Sequence, residues 1–259
     1  MTAPALECHR VSKAFGGVSA IDDVSLTVPG GSLCALIGPN GAGKTTLFNV
    51  ATNLLSPSSG EVRFFGQSAV RLAQHEIAAL GIIRTFQTAR IFPGMTAFEN
   101  VMVGAHLHLR ASFIRQMLWT RGARREERRH AEKADALLEI AGLAQFRDVA
   151  ATTLPIGAQK LVEVLRALMA KPRLLLLDEP AAGLNDRETA DLAAFLRSIC
   201  EVGTSIMLVE HNMSLVMRVA DQIFVLDAGR LIASGTPRQV QTNADVITAY
   251  LGRPAESAP

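Results

Sequence analysis

The sequence predicts an α/β fold with a mostly parallel sheet, and three observations carry that prediction. Four short apolar runs recur, at 33–37, 174–177, 206–209 and 223–226. None is broken by a polar residue, as a strand covered on both faces requires. Between the second and third runs, Leu192, Phe195, Leu196 and Ile199 recur at helical spacing within 188–200. Strands alternating with helices mark a parallel sheet with helical crossovers.

The elements can be taken in chain order. Val24-Ser25-Leu26-Thr27-Val28 alternates apolar and polar, the period of a strand with one buried face. Pro29-Gly30-Gly31 makes a turn into the first apolar run. Pro57-Ser58-Ser59-Gly60 makes another, before a short strand at 62–65. From about 96 to 168 the patterning is helical with no clear strand, which predicts a helical subdomain inserted between strands of the sheet. The stretch 253–259 holds two prolines and no apolar pattern, and is expected to be disordered. There is no internal repeat.

Composition narrows the function classes. A chain of 259 residues, 49% apolar and 19% charged, is expected to be a soluble globular protein of one large or two small domains. A net charge of +2 is too small to draw it onto nucleic acid. Cys8, Cys34 and Cys200 have no metal-ligand spacing, and so sparse and odd a set predicts a reducing compartment. Residues 1–10 lack the apolar core of a secretory signal, and no stretch reaches the roughly 18 apolar residues of a membrane helix. A cytoplasmic location is the expectation.

The chemistry begins directly after the first apolar run. Gly38, Pro39, Asn40, Gly41, Ala42, Gly43, Lys44 and Thr45 fit G-x-x-x-x-G-K-[ST], the phosphate loop, with Thr46 next in line. A triphosphate is densely charged, and backbone N–H groups surround it only where side chains do not intervene. Glycines allow that approach and the positive φ it needs. A helix starting at the loop adds its N-terminal partial charge. Lys44 would neutralise the β- and γ-phosphates of ATP, and the Thr45 hydroxyl would bind Mg²⁺.

The second apolar run ends in Asp178-Glu179. Open α/β sheets bind ligands at the C-terminal ends of their strands. Asp178 is placed to hold the magnesium shell, and Glu179 to accept a proton from the attacking water.

These motifs occur in a set order: the phosphate loop, Gln87 within Arg84-Thr85-Phe86-Gln87, a segment centred on Gly157, Asp178-Glu179, then His211. In this the chain resembles the ATP-binding subunits of ABC transporters, over residues 6–252. Further markers resemble the branched-chain amino acid importer type, the LivG type: Met95-Thr96 followed by Glu99-Asn100, Glu179-Pro180-Ala181-Ala182-Gly183-Leu184-Asn185, and Ala249-Tyr250-Leu251-Gly252. The resemblance implies a RecA-like ATPase core with a small antiparallel β-subdomain and the inserted helical subdomain, over 5–252. It implies that Phe15 stacks on adenine, that Gln87 reaches Mg²⁺ and the attacking water, and that His211 contacts the γ-phosphate. Two cassettes, as a homodimer or with a paralogous ATPase subunit, would sandwich ATP head to tail. Gly157 of one chain would then complete the site of the other. Two separate membrane permease subunits and, indirectly, a periplasmic solute-binding protein are the implied partners, with the chain peripheral on the cytoplasmic face of the inner membrane. Nucleic acid is not among them. The alternatives are a cargo of urea, amides or other amino acids, or an ABC ATPase without transport.

The sequence departs from the family pattern at the Gly157 segment, usually Leu-Ser-Gly-Gly-Gln, which here is Leu154-Pro155-Ile156-Gly157-Ala158. Pro155 removes the serine hydroxyl, while proline is well tolerated in the first turn of a helix. Weaker ATP-driven dimerisation is the expectation. Residues 110–133 carry seven arginines and one lysine against three glutamates, with Phe113, Ile114, Met117 and Leu118 on one helical face beside Trp119. A surface for anionic lipid or a membrane subunit is one reading. A helical subdomain with solvated charges is the other, and it is favoured.

Overall fold

The computed structural model describes residues 3–69, 72–85, 91–105 and 121–251. Two sheets organise them. The first is antiparallel: β1 (Leu6–Phe15), β2 (Val18–Val28), β4 (Ser59–Phe64) and β5 (Gln67–Ser68), in the order β2-β1-β4-β5. β1 turns into β2 through Gly16 and Gly17, both at positive φ, so Phe15 sits at the tip of this hairpin.

The second sheet holds β3 (Leu33–Ile37), β6 (Ile82–Arg84), β7 (Leu174–Asp178), β8 (Ser205–Val209), β9 (Gln222–Asp227) and β10 (Arg230–Gly235). Its order is β10-β9-β3-β8-β7-β6, parallel throughout except for the β9–β10 edge. The four apolar runs are β3, β7, β8 and β9, and burial explains their composition. Successive side chains of a strand point to opposite faces. Leu33, Ala35 and Ile37 of β3 join one core with Leu175, Leu177, Ile206 and Leu208, while Cys34 and Leu36 join the other with Leu174, Leu176, Met207 and Val209. Both faces are covered, so neither tolerates a polar residue. All three cysteines are buried free thiols.

Nine α-helices lie among the described residues: α1 (Lys44–Ala51), α2 (Gln74–Ala79), α3 (Ala97–Val103), α4 (Arg121–Ile140), α5 (Ile156–Met169), α6 (Asp186–Glu201), α7 (Met213–Val219), α8 (Pro237–Gln241) and α9 (Ala244–Leu251). α3, α4 and α5 pack on one another, with buried Ala97, Val101, Ala134, Leu138, Val162 and Leu165 sharing one core. Between 96 and 168 the described residues pair in strand fashion only at an isolated Thr96–Ala150 bridge. α6 begins two residues before the 188–200 span that carries the apolar pattern, because Asn185 and Glu188 cap it reciprocally: Glu188 N donates to Asn185 Oδ1 at 2.9 Å, and Asn185 N to Glu188 Oε2 at 3.0 Å. On α4, Arg124, Arg125, Arg128 and Arg129 are exposed. Phe113, Ile114, Met117, Leu118 and Trp119 of the basic insert lie outside the described residues, as does the 253–259 tail.

Candidate active site

Three neighbouring strands, β3, β8 and β7, end on the same edge of the parallel sheet. The loops leaving those three strand ends form the site. After β3 comes the phosphate loop, with Gly38, Gly41 and Gly43 at φ of 153°, 81° and 95°. Gly43 caps α1 in the left-handed conformation, which glycine adopts without steric cost. A side chain there would lie 2.5 Å from the Ala20 carbonyl oxygen and 2.8 Å from Ile21 Cδ1. That close approach also seats the β1–β2 hairpin, with Phe15 at its tip, beside the loop. Phe15 is 48% exposed, with Lys13 Nζ over its ring 5.2 Å from the centroid; an exposed aromatic is what a stacking base needs.

Lys44 Nζ donates to the Gly38 and Pro39 carbonyl oxygens at 2.7 and 2.9 Å. Burial pushes its pKa down, and the nearby Glu179 carboxylate opposes that shift. The ammonium therefore lies over the loop, in reach of an anion that would offset its desolvation. Thr45 and Thr46 occupy the first turn of α1, Thr45 exposed and Thr46 half-buried, and Asn40 is exposed beside them.

Asp178 closes β7 and is buried. Desolvation pushes its carboxyl pKa up, while a 3.0 Å hydrogen bond from Arg84 Nη2 to Oδ2 opposes the shift. Glu179 leaves the strand at φ 48°, a left-handed backbone unusual for a non-glycine residue. Its N–H donates to the Val209 carbonyl at the end of β8, at 2.9 Å. Glu179 Oε1 lies 3.8 Å from His211 Nδ1. The loop after β7 and the loop after β8 are joined by a carboxylate with no solvent exposure, Glu210. Its Oε1 accepts from Ala181 N at 2.7 Å, and its Oε2 from His211 N and Asn212 N at 3.0 Å each. Lys44, Asp178, Glu179 and His211 are thus gathered at one sheet edge.

Gly157 stands elsewhere. It is the second residue of α5 and packs on the first turn of α6, where a Cβ would lie 2.6 Å from Glu188 Oε1. The cleft it lines with Pro155, Lys160 and Glu188 contains no phosphate-loop residue among those described. Pro155 is the N-cap, not a residue of the first turn: its φ and ψ are −51° and 149°, and its carbonyl accepts the first helical bond from Gln159 N at 3.0 Å. Gln87 lies outside the described residues.

Comparison with known proteins gives the family. The ABC transporter family matches residues 21–182. The chain belongs to the ABC transporter family. As an ABC ATPase subunit, it binds and hydrolyses ATP. Residues 230–256 match a further family, the branched-chain amino acid ATP-binding cassette transporter. The chain is 44% identical to the high-affinity branched-chain amino acid transport ATP-binding protein BraF of Pseudomonas aeruginosa, over 97% of this chain and 99% of BraF. It is 39% identical to LivG of Escherichia coli K12, described in the same terms, over the same shares. Among solved structures it resembles the ADP conformation of MJ1267, an ATP-binding cassette of an ABC transporter. The TM-score is 0.83 with 32% identity, covering 97% of this chain and 99% of that one.

In this ABC ATPase, three residues that sequence reasoning left without a role hold the site together. Arg84 pairs with Asp178, Glu210 ties the loops after β7 and β8, and Lys160 Nζ donates to the Glu179 carbonyl oxygen at 3.2 Å. Arg84 was visible only as part of the Arg84-Thr85-Phe86-Gln87 marker. Glu210 had one signal, a carboxylate directly after an apolar run.

Proposed function

We propose that this ABC ATPase powers import of branched-chain amino acids through two separate membrane permease subunits. Its ATPase unit is proposed to span 5–252, with the helical subdomain at 96–168. It works as a homodimer or beside a paralogous ATPase subunit, on the cytoplasmic face of the inner membrane, with a periplasmic solute-binding protein delivering the cargo. The observation that carries the cargo is the 230–256 match, at the end of a chain aligned over 97% of its length with BraF. Among the described residues no helix is long and apolar enough to cross a membrane, so the permeation path would belong to other polypeptides.

Within the site, Lys44 neutralises the terminal phosphates of ATP, and the glycine amides of the loop line the chain of phosphates. Glu179 takes the proton of the attacking water. His211, 3.8 Å from the Glu179 carboxylate, contacts the γ-phosphate, and Phe15 stacks on adenine. Gly157 completes the partner chain's site with the α5 N-terminus, where Pro155 provides no hydroxyl. The residues suit Mg²⁺: Asp178 is a desolvated carboxylate with Oδ2 engaged by Arg84, and a hard dication would offset that desolvation. Asp178, Thr45 and Gln87 would hold it. When bound, it would supply positive charge that offsets the negative charge developing in hydrolysis. Among the described residues no cluster of three or more His, Cys, Asp or Glu forms a metal group; a magnesium site completed by a threonine, substrate phosphates and water does not require one.

The decisive variant is Glu179→Gln. ATP affinity should persist while hydrolysis falls by about 10²–10⁴-fold; normal turnover would remove Glu179 from the role of base. For the cargo, co-expression with the neighbouring permease and binding-protein genes and reconstitution should give leucine-stimulated ATPase and uptake. Stimulation by urea or an amide and not by leucine would overturn the cargo.

A further inference from the structure

Glu179 has to be held in place twice: its carboxylate must meet the water, and its backbone must stay left-handed. A non-glycine residue at φ 48° is strained and persists only where the surroundings impose it. Three hydrogen bonds do so. Glu179 N donates to Val209 O at 2.9 Å, Ala182 N donates to Glu179 O at 3.1 Å, and Lys160 Nζ donates to the same carbonyl at 3.2 Å. The first two are local sheet and turn geometry. The third comes from a different element. Lys160 is a buried lysine, 8% exposed, and a buried ammonium is costly unless hydrogen-bonded and compensated. It sits where it is useful to the site: its charge also acts on the Asp178 carboxylate.

The position of Lys160 on α5 gives the contact its meaning. Gly157 lies three residues earlier on the same helix, less than one turn away. In the proposed dimer the start of α5 faces the partner's nucleotide, while Glu179 serves the chain's own nucleotide. A single side chain therefore joins the half-site this chain lends to the half-site it keeps. We propose that Lys160 is a positioning residue for hydrolysis: it ties the start of α5 to the Glu179 peptide, so the pose of the base depends on where α5 sits. The proposal rests on Glu179 being the base. Binding of ATP by the loop is independent of the tether, since Lys44 and the loop glycines do not involve α5.

The test uses the full chain carrying Lys160→Met, which keeps the apolar stem and removes the donor, and Lys160→Arg, which keeps a cationic donor. Both are made in the native and the Glu179→Gln backgrounds. ATP affinity, kcat, single-turnover rate and melting temperature are measured for each. The expected result is a kcat lowered at least tenfold by Lys160→Met with ATP affinity within twofold, and recovery of most of the rate in Lys160→Arg. On the Glu179→Gln background, Lys160→Met should lower the residual single-turnover rate no further, because both changes act through one group. An unchanged kcat in Lys160→Met overturns the tether, as does a parallel fall in affinity, or the same fractional loss in both backgrounds. If the methionine variant does not fold, Lys160→Gln is judged by the same comparison. Normal turnover of Glu179→Gln alone refutes the base, whereas a dead Glu179→Gln beside a fully active Lys160→Met refutes the tether alone.

Discussion

Arg84→Met tests how the site's buried charge is balanced. Arg84 ends β6 and reaches three residues on two elements: Nη2 donates to Asp178 Oδ2 of β7 at 3.0 Å, and Nη1 to Asn49 Oδ1 of α1 at 2.7 Å and to Oγ1 of its C-cap Thr52 at 2.9 Å. Its guanidinium also lies 4.7 Å from the centroid of Phe48. The two charged side chains are 14% and 7% exposed, so solvent does little to replace either partner. Methionine keeps the apolar length and removes the cation, leaving Asp178 buried without it. Breaking one side of a buried pair costs about 3–5 kcal/mol. At about 2–4 °C per kcal/mol for a chain near this size, Tm should fall by roughly 6–20 °C. The loss should depend on pH, and the sign follows from Asp178. Its folded pKa is already above the ordinary 3.8 because of burial, with Arg84 opposing; removing Arg84 raises it further. An acid whose folded pKa exceeds the unfolded one binds more protons when folded, so stability falls as pH rises through that window. The variant's window extends higher than the native one, so its deficit grows with pH. Thermal melts by circular dichroism at about pH 5 and pH 8 should show the larger deficit at the higher value. In an Asp178→Asn background the same substitution should cost much less, since no anion is stranded. An equal deficit at both pH values, undiminished beside Asp178→Asn, would refute the charge-balance account and leave only lost packing.

Two predictions concern the half-site at the start of α5. Gly157→Ala would put a methyl 2.6 Å from Glu188 Oε1, forcing aside the carboxylate that caps α6. It should cost about 1 kcal/mol as a lost cap, with a lower Tm and weaker ATP-driven dimerisation by size-exclusion chromatography; native behaviour in both contradicts the close packing of α5 on α6. Pro155→Ser puts a hydroxyl at an N-cap that lacks one, and should stabilise α5 by about 0.5–2 kcal/mol while tightening the ATP-bound dimer. No change in melting or in dimerisation would show that the proline is without consequence.

The predictions on Arg84 and Lys160 turn on side chains whose roles the sequence does not announce, and the reason is physical. The strands β3, β7, β8 and β9 were legible because burial on both faces leaves no room for a polar residue. β6 is three residues long and β10 is a half-exposed edge strand, so neither has a period to detect; each is defined by pairing with a neighbour. The phosphate loop was legible for a different reason: backbone contact with an anion demands glycines at fixed spacing. Arg84, Lys160 and Glu210 obey no such spacing. The partners that give them these roles, Asp178, Glu179 and Ala181, lie 94, 19 and 29 residues away, and before folding each of Arg84, Lys160 and Glu210 is an ordinary charged residue in an ordinary segment. What sets them apart is where their partners stand. At the C-terminal end of a parallel strand the ladder stops and the backbone turns, so carbonyls, amides and carboxylates there need other partners. Water cannot supply them close to the core, so distant elements must contribute buried charge. Sites of this kind therefore carry two sets of residues. The groups that meet ATP are held to a pattern by the ligand, while the groups that hold them are constrained only by the fold, which is why substitution of the second set should alter turnover, stability or pH dependence while leaving the nucleotide-binding loop intact.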